Sequence, residues 1–140
     1  MRRLFQAVFA CAGLILVSQP VSAQTRLATE EFMVPANEPG IELYVRNKRP
    51  ESMTTFSAEK TVVFVHGATY PSETAFDLKL DGVSWMEFIA SRGFDVYMLD
   101  VRGYSRSTRP KEMSQPADQN PPIVSTRSPQ ATSARWWSTF

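Results

Sequence analysis

The stretch from Lys60 to Pro110 constrains this chain most. Thr61-Val-Val-Phe-Val65 is a short apolar run rich in β-branched residues and predicts a buried strand. Trp85, Phe88 and Ile89 fall at i, i+3 and i+4, which is one face of a helix. Ser84 suits its N-cap, Glu87 stands where a capping box needs it, and Gly93 stops it, so a helix is expected over Trp85–Arg92. Val96–Leu99 is a second strand. Strand, helix and strand over this length make a crossover unit, with its two strands parallel and the connection right-handed.

Both strands run out into polar residues and glycine: His66-Gly67-Ala68 after the first, Asp100-Val-Arg102-Gly103 after the second. In open parallel sheets the loops beyond the carboxyl ends of the strands form the ligand site, so these two segments should lie side by side. A strand ending in His-Gly, then a helix, then a strand ending in Asp-x-Arg-Gly-x-x-x-Ser resembles the α/β-hydrolase family, over about Phe32–Ile123. The resemblance implies an α/β fold. It would be the N-terminal part of a hydrolase sheet, an antiparallel β-hairpin followed by the parallel unit, truncated before the nucleophile elbow.

It also implies roles. The loop after Val65 would supply half of an oxyanion hole, backbone N–H groups aimed at the oxygen that turns negative in a tetrahedral intermediate. Ala68 offers that N–H, and Gly67 lets the chain turn without a Cβ clash. His66, the chain's single histidine, would shape this loop rather than act as a base. The family draws its catalytic histidine from later in the domain, and a triad histidine needs an orienting acid. Asp100, Arg102 and Gly103 would form a buried polar support at the site edge, since a buried carboxylate needs partners. Where Ser105 stands the family usually has a second glycine. Gly103-Tyr-Ser105-Arg-Ser107 nearly imitates Gly-x-Ser-x-Gly, but the last glycine is absent and Thr108-Arg-Pro110 follows instead of a helix. Ser105 is therefore not read as a nucleophile.

Ahead of this unit, Glu31–Val34 and Ile41–Arg46 read as two strands, joined by the turn residues Asn37-Glu-Pro-Gly40. They predict a hairpin at the sheet edge. The basic cluster Arg46-Asn-Lys48-Arg49 reads as a solvated strand end, and with a net charge of +1 nothing in the balance points to nucleic acid. Ala68–Val83 is a long loop for this kind of connection.

Arg2 and Arg3 precede an apolar run, Leu4–Val17, and Val21-Ser-Ala23 follows. This is the pattern of a secretory signal over residues 1–23, with cleavage after Ala23 and a periplasmic or secreted product. The run falls short of the roughly 20 apolar residues of a span, so no stable membrane span is expected after cleavage. Cys11 lies inside the signal. The mature chain then has no cysteine, which excludes disulfides and thiol chemistry and, with one histidine, leaves few ligands for a metal. No cofactor is expected.

The remaining organisation is a flexible start over 24–30, a partial hydrolase-like domain over 31–124 and an irregular tail over 125–140. The tail stacks Trp136 on Trp137 and lacks a useful period. Should Ser138 be encoded TCG and Thr139 ACN, a shifted frame over the two TGG codons reads Val-Val and then an acidic residue. That suits a helix of this fold far better, so the tail is expected to be out of frame. No segment reads Gly-x-Ser-x-Gly, and no nucleophile, triad acid or triad histidine is identified.

Two functions stay open. One is the front portion of an exported hydrolase acting on a small-molecule ester, amide or related bond through a triad that these residues lack. The other is a non-catalytic fragment or binding module. A nucleotide-binding oxidoreductase needs G-x-G-x-x-G after the first parallel strand, which His66–Ser72 does not provide. With few layers to cover its strands, the partial domain is also expected to self-associate through an exposed sheet edge.

Overall fold

A computed structural model describes residues 25–120 of the chain. Four strands, β1 (Leu27–Pro35), β2 (Glu42–Pro50), β3 (Thr61–Val65) and β4 (Asp95–Leu99), form one mixed sheet in the order β1-β2-β4-β3. The β1–β2 pair is an antiparallel hairpin, β2 and β4 are antiparallel, and β3 and β4 are parallel. With two short helices, α1 (Ser72–Phe76) and α2 (Trp85–Ala90), the arrangement is α/β in general character.

Strand alternation sorts the side chains onto two faces. Leu43, Val45, Tyr97, Leu99 and Val63 lie on one face, with Ile41 and Val101 beside them. Tyr44, Val96, Met98, Val62 and Phe64 lie on the other, under α2, whose Met86 and Ala90 are fully buried against them. Phe64 stacks on Phe76 of α1 at 4.4 Å, and Trp85 tilts against Phe64 at 5.1 Å.

The capping box of α2 is formed: Ser84 Oγ accepts from Glu87 N at 3.0 Å, and Glu87 Oε2 accepts from Ser84 N at 3.4 Å. The helix closes two residues early, through a turn ended by Gly93 at φ +86°. Its buried face is only partly the expected one, with Ile89 packed against the core as expected. Met86 and Ala90 face the sheet, whereas Trp85 and Phe88 are about half exposed. A small residue at position 90 lets the helix axis approach the strands, and Met86 fills the gap above Val96 and Met98.

Three further expectations are corrected. β1 begins at Leu27, so most of the flexible start is strand. The loop Ala68–Val83 contains α1, introduced by Pro71. Arg46 and Lys48 are no solvated strand end: β2 runs through them to Pro50, and Arg46, Asn47 and Lys48 are all buried. The expected signal over 1–23 and the tail over 125–140 lie outside the described residues.

Candidate functional site

The parallel pairing of β3 with β4 puts Val65 opposite Leu99. The two strand-end segments therefore leave the sheet at the same edge. They are joined there: Val101 N donates to His66 Nε2 at 2.9 Å, and His66 Nδ1 lies 2.6 Å from Gly67 O. A ring nitrogen that accepts from a backbone N–H carries no proton, so the proton sits on Nδ1 and is donated to the Gly67 carbonyl. Both nitrogens of the buried ring are engaged. Tyr104 packs against it, with ring centroids 4.5 Å apart, and donates its hydroxyl to Ala68 O at 2.6 Å. The Ala68 carbonyl is thereby turned toward the Asp100–Tyr104 loop. Ala68 itself is exposed, and its N–H makes no hydrogen bond among the described residues.

Gly67 does not need to be glycine for the expected reason. It lacks a positive φ, and a Cβ built on it meets nothing within 4 Å. Gly103 does need to be: its φ is +84°, and a Cβ would come within 2.6 Å of Met113 Sδ. Ser105, where the resemblance implies a glycine, sits at φ +41°. It adopts the left-handed backbone that glycine takes freely and serine takes at a cost.

Asp100 is fully buried. Its Oδ1 accepts from Ser72 N at 2.8 Å, which caps α1 from outside that helix, since Pro71 offers no side-chain cap. Its Oδ2 has no hydrogen-bond partner among the described residues. Arg102 reaches away from the strand ends to Glu38 in the hairpin turn. Sequence reasoning overlooked Ser107. It is buried, accepts from Tyr44 N at 2.9 Å and donates to Asp100 O at 2.6 Å. Thr108 N donates to Glu42 O at 2.9 Å, so the whole Val101–Thr108 loop is strapped over the start of β2.

Beneath α2, the cations of β2 meet carboxylates from distant segments. Asp77, whose side chain is 2% exposed, accepts from Arg46 Nη1 at 2.6 Å, Lys48 Nζ at 2.8 Å and Ser84 Oγ at 2.6 Å. Lys48 also reaches Glu87 at 2.9 Å, as does Lys79 at 2.8 Å. Burial opposes ionisation of Glu87, but hydrogen bonds from Lys79, Lys48 and Ser84 N outweigh it and hold its carboxyl at about 2. Glu31 is held at about 2 by Arg106, then by the Tyr44 hydroxyl and Arg46. Burial, then Glu31, pushes the Tyr44 hydroxyl up to about 12. Arg106 lies over the Tyr44 ring at 4.0 Å and pairs with Glu31 at 2.8 Å. This network clamps the Ala68–Val83 connection onto the sheet at Asp77.

A cavity of about 920 Å³ opens elsewhere, between Thr25–Leu27 and the flank of α2. Neither the His66–Ala68 segment nor the Asp100–Gly103 segment lines it. Among the described residues there is no group of three or more His, Cys, Asp or Glu side chains that could hold a metal ion. Among them, too, no helix is long and apolar enough to cross a membrane. No protein-family model matches the chain, and no curated protein matches it.

Proposed function

We propose that this chain is the front portion of an exported α/β-hydrolase and contributes the oxyanion side of its site. The substrate would be a small molecule with an ester, amide or related bond, cleaved through a nucleophile–acid–histidine triad that these residues do not supply. One observation carries the reading: the 2.9 Å bond from Val101 N to His66 Nε2 ties the His-Gly segment to the Asp-x-Arg-Gly segment at one sheet edge. The open N–H of Ala68 beside that bond supports the role assigned to it. The antiparallel hairpin followed by a parallel strand–helix–strand unit supports the fold that the resemblance implies.

A second reading, a non-catalytic fragment or binding module, draws on a different observation. Both nitrogens of the chain's single histidine are occupied by the backbone, so the described residues present no imidazole base. Reading the DNA through and beyond codons 123–140 in three frames separates the two. A frame encoding Gly-x-Ser-x-Gly on a strand-to-helix pattern is expected for the hydrolase; its absence in all three frames leaves the binding module. On either reading the 140-residue chain should not turn over an aryl acetate. Turnover that Ser105→Ala abolishes would overturn both. Export predicts a mature product beginning at Gln24, checked by N-terminal sequencing; a retained Met1 on a membrane-bound product would mean an anchor.

A further inference from the structure

We infer that the cavity between the start of β1 and the flank of α2 is a binding site for a small amphipathic anion, an aliphatic body carrying one carboxylate. This inference does not depend on the proposed function, because the cavity shares no residue with the strand-end loops. Its volume of about 920 Å³ is within the range of small-molecule sites, which combine an apolar lining with a few polar groups that set orientation.

The lining has both parts. Leu27, Val83 and Phe88 supply the apolar wall. Val83 and Phe88 are about half exposed, so a ligand body would remove from water surface that the fold leaves wet. Arg26, Lys79 and Arg92 supply three cations against the single carboxylate of Glu87. That carboxylate is already engaged by Lys48 from the buried side and by Lys79. The cavity is thus left with an excess of positive charge.

Arg92 is held in place for the task. Its guanidinium lies 3.3 Å from the centroid of the Phe88 ring and donates through Nη1 to Phe88 O at 2.7 Å. The head group is fixed beside the apolar wall, and its remaining donors have no partner among the described residues. A planar guanidinium presents a fork that matches a carboxylate. Arg26 has no side-chain partner among the described residues. The result is an apolar wall with an oriented cation at its rim, which selects for an acid with a hydrocarbon tail and against a neutral or cationic analogue.

Calorimetric titration of the full chain with octanoate, octanol and octylammonium tests this. Octanoate is expected to bind saturably with one site, and octanol and octylammonium much more weakly. Arg92→Gln and Arg26→Gln should each weaken octanoate by about tenfold, the worth of a charge-assisted hydrogen bond. Arg92→Lys should retain part of the affinity. Circular dichroism matching the parent chain, with octanol binding unchanged in Arg92→Gln, shows that the variant has kept its fold. Equal binding of octanoate and octanol overturns the proposal. So does octanoate binding unaffected by both arginine substitutions, and so does adsorption to anionic vesicles with no binding of free octanoate.

Discussion

Asp77 Oδ1 lies 2.8 Å from Lys48 Nζ, and both side chains are buried. The same carboxylate takes Arg46 on its other oxygen at 2.6 Å. Two cations in the middle of a central strand thus share one residue that follows α1, and each has a second carboxylate, Glu31 for Arg46 at 2.8 Å and Glu87 for Lys48 at 2.9 Å. Removing one partner of such a pair leaves uncompensated buried charge, typically at about 3–5 kcal/mol. Because Glu31 and Glu87 still hold the two cations, Asp77→Ala should lower the unfolding free energy by less than that, about 1–3 kcal/mol, measured by urea denaturation. Asp77→Asn, which keeps an acceptor for Ser84, should cost less. A loss below about 1 kcal/mol in Asp77→Ala would show that solvent already screens the cluster.

His66 is expected to hold its proton on Nδ1. Nitrogen-15 chemical shifts of the ring report this directly, and a protonated Nε2 would contradict the bond from Val101. His66→Ala strands the buried Val101 N–H, which costs about 1–3 kcal/mol. The loss should appear as faster amide exchange at Val101.

Ser105→Gly should stabilise the chain, by up to about 1 kcal/mol, because the left-handed backbone at this position is free to glycine. Ser105→Ala should bring no such gain, since alanine keeps the Cβ that causes the strain. Thermal unfolding of the two variants side by side decides the matter; equal midpoints would mean that position 105 is unstrained.

Acid should loosen the clamp over β2. Glu31 and Glu87 are both held at about 2 in the folded chain, against an ordinary value of 4.5. A carboxylate depressed by folding gives stability that is present above its ordinary value and is lost as pH falls toward the depressed one. Stability should therefore drop between these two values. Glu87 contributes about 1 kcal/mol of this once solvent screening is allowed for. Glu87→Gln should flatten the fall, as followed by urea midpoints across that range; an unchanged profile would remove Glu87 from the account.

The parts of this fold that were legible in sequence carry their signals locally. β3 is a continuous β-branched run, the hairpin turn is a cluster of turn residues, and the capping box of α2 spans only Ser84 to Glu87. What was hidden depends on distant partners. The charges of Arg46 and Lys48 looked like solvated surface because Asp77 lies 31 and 29 positions away from them. The face of α2 was legible only at Ile89: Trp85 and Phe88 outweigh Met86 and Ala90 in hydrophobicity, whereas the close approach to the sheet selects the smaller and more flexible side chains. At the candidate site, the meeting of the two strand ends follows from parallel pairing and could be anticipated. The engagement of both His66 nitrogens could not, and neither could the place of Ser107. Its two bonds go to backbone groups of Tyr44 and Asp100, which leave no trace in residue type.

The two outer strands of the sheet are unequally guarded. β1 carries the exposed acids Glu30 and Glu31 and ends at Pro35, which has no N–H to offer. β3 reads Thr-Val-Val-Phe-Val, holds neither charge nor proline, and among the described residues pairs only with β4. Charge and proline discourage a foreign strand from docking, and an uncharged β-branched edge invites one. Any growth of this sheet therefore has a single point of entry. Two copies that meet through β3 would present only their β1 strands outward, and the assembly would close as a pair instead of lengthening into a fibre.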